Sequence, residues 1–78
     1  MEHLGIVEEV TRDGRLIIRC NTLPNLGEPV FDSKQRRMGV VKRAFGPVDE
    51  PYISVTPGND VDPSRLRGAE TFYNKGKE

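Results

Sequence analysis

Nowhere in this 78-residue chain do apolar residues recur at helical spacing for more than a single turn; where they recur in order, the period is two. Leu4, Ile6 and Val10 alternate imperfectly with polar residues, which predicts a first strand over 3–10. Thr11-Arg12-Asp13-Gly14 predicts a hairpin turn, because Asp-Gly readily supplies the backbone of a tight primed turn. Residues 15–20 predict a second strand, with Leu16, Ile18 and Cys20 on one face and Ile17 and Arg19 on the other. A loop held by Pro24 and Gly27 follows, then a short strand over 29–32 whose leading Pro29 argues for an edge. A polar turn precedes a fourth strand over 38–45, and a fifth spans 52–56. Asp62-Pro63 predicts one helical turn over 62–66, with Asp62 as N-cap and Pro63 at the first helical position. A last strand covers 71–74.

Six short strands and no long helix make the chain all-β. With so few residues a sandwich would leave open edges, so a small closed or nearly closed six-stranded barrel is the economical architecture. Residues 1–74 form that single domain, and 75–78 are expected to fray. A core of this size is only marginally stabilising by itself, so a partner is expected to contribute to working stability.

Several chemistries are excluded at this level. His3 is the one histidine and Cys20 the one cysteine, too few and too far apart for a zinc site. Cys20 reads as a small core residue in a reducing compartment, and His3 as a solvated side chain in a mobile start. No glycine-rich phosphate loop precedes a helix, and the carboxylates form no catalytic constellation, so no enzyme activity, cofactor, metal or small-molecule substrate is expected. The start carries no apolar leader and no segment is long enough to span a bilayer, which predicts a soluble, cytoplasmic protein without a membrane partner.

The formal net charge is zero but unevenly spread. Lys34 to Arg43 holds five bases and no acid, whereas 44–64 holds four acids and no base. A dedicated sequence-independent nucleic-acid binder carries an overall basic excess, so any RNA contact must be local, at Lys34, Arg36 and Arg37. None of the aromatics Phe31, Phe45, Tyr52, Phe72 and Tyr73 lies inside that run to stack on bases.

The stretch Phe45-Gly46-Pro47-Val48-Asp49-Glu50-Pro51-Tyr52 carries two prolines, a glycine and two aromatics. Each proline fixes its own φ and extends the residue before it, so the loop is stiff as well as apolar. A rigid loop presenting Val48 and Tyr52 loses little entropy when a partner docks. Asp49 and Glu50 lack any Ser, Cys, His or Lys within the segment to act with them and read as solubilising groups.

In order along the chain come Leu4-Gly5-Ile6-Val7, the run Gly14 to Arg19, Pro24-Asn25-Leu26-Gly27, Val30-Phe31-Asp32, Met38-Gly39-Val40-Val41, Phe45-Gly46-Pro47-Val48, Pro51-Tyr52 and Val55-Thr56-Pro57. This ordered set resembles the Gar-one subunit of box H/ACA ribonucleoproteins in its short archaeal form, over nearly the whole chain. The resemblance implies a six-stranded barrel of the kind found in translation-factor second domains. It implies a non-catalytic subunit that docks on the catalytic domain of a pseudouridine synthase and aids substrate RNA loading and product release in rRNA pseudouridylation. The guide RNA is then a partner only indirectly.

Carried onto this chain, the implied docking surface comprises Gly39, Val41, Phe45, Gly46, Pro47, Val48, Pro51 and Tyr52; for Val41 and Phe45, core packing is the competing reading. Two departures are visible: there is no glycine/arginine-rich tail, and Met38 replaces a usual β-branched residue. The alternatives are a Naf-type H/ACA assembly factor, which shares the barrel, and a stand-alone RNA-binding β-barrel.

Overall fold

The computed structural model describes residues 2–47 and 49–74, so Val48 and the tail 75–78 lie outside the described residues. Six antiparallel strands run β1 (Glu2–Val10), β2 (Leu16–Cys20), β3 (Pro29–Phe31), β4 (Arg37–Phe45), β5 (Tyr52–Pro57) and β6 (Glu70–Tyr73). They close into a barrel in the order β1-β2-β5-β4-β3-β6. One 3-10 turn, Pro63–Arg65, precedes β6, capped by Asp62, whose Oδ1 accepts from the Ser64 N–H at 3.2 Å and the Ser64 hydroxyl at 2.7 Å.

The alternation foreseen for β2 holds: Leu16, Ile18 and Cys20 point into the barrel while Arg19 is exposed. Leu4, Val7, Val30, Val41, Ile53 and Val55 complete a core in which each is at most 1% exposed. Among the described residues the one fully buried polar side chain, Thr71, is satisfied by donating to the Gly5 carbonyl at 2.8 Å. The Ser54 hydroxyl is different: it is buried on the outer side of β5, opposite Ile17 and Arg43, with no hydrogen-bond partner among the described residues.

The sequence pattern misplaces three details. The β1–β2 turn is not primed, because Gly14 alone takes a positive φ, +85°, while its N–H donates to the Thr11 carbonyl at 3.0 Å. That is a type I turn followed by a left-handed glycine, the three-residue alternative to a primed pair. His3 is not in a loose start: it pairs with Phe72 across β6, meets that ring edge-on at 5.4 Å and reaches Glu70 Oε1 at 3.2 Å. β3 is not an open edge either, since it lies between β4 and β6. Val41 N–H donates to the Glu28 carbonyl at 3.0 Å, so the next residue, Pro29, turns its nitrogen away from β4, toward the side where no donor is needed. There the closure rests on one register pair, Phe31 with Phe72.

Four register shifts decide which side chains reach the surface; one sets Leu4 outside the β1–β6 pairing and one sets Met38 outside the β3–β4 pairing. In β1 the register passes from Val7–Ile18 to Glu9–Ile17, leaving Glu8 unpaired; in β4 it passes from Val41–Val55 to Arg43–Ser54, leaving Lys42 unpaired. Each extra residue shifts the alternation by one, so side chains beyond it change faces.

Candidate protein-docking surface

The bulge at Lys42 separates two residues that strict alternation would place together. Val41 is 1% exposed and pairs with the inward Val55, whereas Phe45 pairs with Tyr52 on the outer face and is 45% exposed. Val41 is therefore core and not docking surface. Gly39 is also buried, and its role is close approach: a Cβ there would stand 2.2 Å from the Thr56 carbonyl oxygen. The remaining described members of the expected set, Phe45, Gly46, Pro47, Pro51 and Tyr52, do come together at the far end of β4 and the start of β5.

Gly46 holds φ at +93°, and a Cβ on it would meet Tyr52 Cδ2 at 2.9 Å, so only glycine lets the chain turn here beneath the tyrosine ring. The Phe45 and Tyr52 rings stack with centroids 5.8 Å apart and planes 19° from parallel. The Pro51 carbonyl accepts the Cys20 N–H at 2.9 Å, which ties the returning loop to β2.

Charges reinforce this frame. Arg19 on the outer face of β2 donates to Glu50 Oε1 at 2.6 Å and lies 3.7 Å from Glu8 Oε2, and the Tyr52 hydroxyl donates to Glu8 Oε1 at 3.4 Å. The Glu50 hydrogen bond, then the charges of Glu50 and Glu8, raise the Arg19 pKa above its ordinary value. Glu50 thus pins the loop, a role beyond the solubilising one expected of it. The β1 bulge leaves Glu8 outside the ladder and within reach of Arg19.

Around this frame lies apolar surface that sequence periodicity misses. Leu23 is 57% exposed and lines a shallow depression with Ala44, Phe45, Pro47 and Pro51. Leu26 is 66% exposed further along the same loop, which is anchored by the buried Pro24 and by the Gly27 N–H donating to the Val41 carbonyl at 2.7 Å. Ile6, 48% exposed, stands at the other end of an outer-face row that crosses four strands through register partners: Ile6, Arg19, Tyr52, Phe45. The signal for Leu23 and Leu26 was present as two leucines in a Pro/Gly loop, where no strand face exists to bury them.

No family model matches the chain. An uncharacterized protein of Methanothermobacter thermautotrophicus is 40% identical over 75 residues, covering 94% of this chain and 82% of that protein. The chain belongs to that protein's family. The likeness runs over the barrel as a whole and not over one hairpin, so it embraces the docking frame together with its supports.

The basic residues form a separate feature. Arg36, Arg37 and Lys42 border a groove at the opposite end of β4, beside Thr56, Pro57, Gly58 and Asp60. Lys34 sits in the adjoining turn, where Asp32 Oδ1 accepts the backbone N–H groups of Lys34 at 2.8 Å and Arg36 at 2.9 Å. Among the described residues no group of three or more His, Cys, Asp or Glu is arranged to hold a metal ion. Burial pushes the Cys20 thiol up to about 11, so it stays protonated and inert near neutral pH. No helix among the described residues is long and apolar enough to cross a membrane.

Proposed function

We propose that this protein is a non-catalytic docking subunit of an H/ACA-type ribonucleoprotein in the cytoplasm. It binds the catalytic subunit of a pseudouridine synthase and aids RNA substrate loading and product release during rRNA pseudouridylation. The observation that carries the reading is the apolar set of exposed Leu23, Phe45 and Pro47 with half-buried Pro51. In it, Leu23 of the β2–β3 loop meets a β4–β5 loop stiffened by two prolines, an aromatic stack and the Arg19–Glu50 ion pair. Exposed apolar residues gathered in one depression of a small domain mark a contact surface. Rigid aromatic anchors within such a surface dominate binding energy when desolvated. The ordered motifs from Leu4 to Pro57 support the choice of partner.

Mechanistically, the subunit contributes by favouring one conformation of the partner's substrate-gripping loop, because a bound protein shifts such an equilibrium only through its differential affinity for the two states. The test is reconstitution. The purified chain and an archaeal pseudouridine synthase catalytic subunit should co-elute in size-exclusion chromatography at micromolar concentration without RNA. Two separate peaks would refute the reading.

A further inference from the structure

We propose that the groove at the N-terminal end of β4 is a cradle for the phosphodiester backbone of an extended nucleic-acid strand, with Arg36, Arg37 and Lys42 as its phosphate contacts. Among the described residues, none of these three forms an ion pair; the pairs that exist engage His3, Arg15 and Arg19. Asp32, the carboxylate nearest in sequence, is directed at the backbone amides of the turn and neutralises none of the three side chains by contact. Among the described residues Asp60 is the one acid lining the groove, where bases outnumber it three to one. The bulge matters again: Lys42 is the extra residue of β4, placed outside the regular alternation and beside the same groove as Arg36 and Arg37.

The lining selects the class of partner. Met38, Val40 and Pro57 also line the groove, yet Met38 is buried and Val40 and Pro57 are half-buried. None of the exposed large hydrophobics among the described residues, Ile6, Leu23, Leu26 and Phe45, reaches it. A protein partner needs a desolvated apolar anchor, whereas a phosphate chain needs only spaced cations. No aromatic side chain lines the groove either, so bases are not stacked, and cations engaged on phosphates carry no sequence information. The consequence is weak, sequence-independent, salt-sensitive binding that treats RNA and DNA strands alike. This site does not depend on the docking reading, because it lies at the other end of β4 and is assayed on the chain alone.

With three phosphates neutralised, the salt slope for a single strand is roughly −2, so raising salt from 50 to 200 mM weakens binding roughly 20-fold. The experiment is fluorescence anisotropy of labelled 20-nucleotide rU, rA and dT homopolymers against the full chain at 50 mM salt. The expected result is a salt slope near −2, affinities within threefold across the three strands, and at least tenfold loss in R36Q/R37Q/K42Q. R12Q/R67Q, which removes two exposed charges away from the groove, should change affinity less than twofold. Asp60→Asn should tighten binding, and this arm decides the matter if the triple variant fails to fold. A flat salt response, more than tenfold preference among the homopolymers, unaltered binding by a folded triple variant, or no tightening in Asp60→Asn would overturn the proposal. Competition by polyglutamate as strong as that by an oligonucleotide of equal charge would overturn it in favour of an acidic protein partner.

Discussion

Replacing Phe45 by alanine should separate docking from folding. A phenylalanine buries roughly 200 Å² when fully covered. With 45% of its surface exposed in the free chain, roughly 90 Å² remains for a partner to cover. At about 25 cal/mol per Å² that area is worth roughly 2.2 kcal/mol, or about 40-fold in Kd. The fold loses the other roughly 110 Å² of covered surface, about 2.8 kcal/mol at the same coefficient, with the stack on Tyr52 in addition. Ile18→Ala is the matched control: Ile18 is fully buried, and its truncation costs a comparable amount, about 2–5 kcal/mol, without touching the exposed apolar surface. Calorimetric titration into the synthase subunit, with thermal melts of each variant, gives both quantities. At a temperature where both variants are folded, Phe45→Ala should lose about 40-fold in affinity while Ile18→Ala, comparably destabilised, stays within twofold. If both variants bind alike, or if Phe45→Ala keeps its affinity within threefold, the exposed ring is not an anchor and the docking assignment fails.

Gly39→Ala should destabilise the isolated barrel by at least about 1–3 kcal/mol, because the new Cβ meets backbone that cannot move aside; an unchanged melting curve would show that β4 and β5 are less closely apposed. Cys20 has its thiol pKa raised from 9.0 to about 11 by burial, so the unfolded chain ionises first as pH rises. The stabilisation is fully present below pH 9 and lost towards about pH 11, a fall that denaturant titrations should detect in the wild type and miss in Cys20→Ala. In the reconstituted particle, adding this subunit should raise multiple-turnover pseudouridylation more than the single-turnover rate, since conformational steps and product release commonly limit turnover. A single-turnover rate dependent on Asp49 or Glu50 at saturating subunit would instead assign it a chemical role.

The strands and their closure were legible in the sequence because each strand is short, bounded by Gly, Pro or Asp, and periodic over enough residues to declare a face. Which face each apolar residue takes was legible only where the ladder is regular. In β2 it is, and Leu16, Ile18 and Cys20 were read correctly. In β1 the alternation breaks at Leu4 and again at Glu8, in β4 at Lys42, and a one-residue slip reverses every assignment beyond it. Ile6 grouped by sequence with Leu4 and Val10 lies outside the barrel, and Val41 grouped with Phe45 lies inside. Nothing local marks Lys42 as the surplus residue; the choice is made by packing across β5. The stiff loop was legible because its rigidity is covalent, residing in the rings of Pro47 and Pro51. Its tether to Arg19 was not, because that ion pair joins residues 31 positions apart.

The single register pair joining β3 to β6 makes the cylinder a ribbon with a seam. Phe31 and Phe72 stand 41 positions apart, fewer than the 64 to 71 that separate the β1–β6 partners, so the seam is set apart by its few ladder bonds and not by sequence distance. With few ladder bonds to break, the seam is also where partial opening costs least. Amide hydrogens of β3 and the facing side of β6 should exchange well ahead of those in β2 and β5, each paired along both edges. Every opening uncovers two strand edges for an instant, and a second molecule opened in the same way offers their complement. High concentration and heat should therefore yield strand-exchanged dimers joined through β3 and β6, and a disulfide engineered across that seam should suppress them.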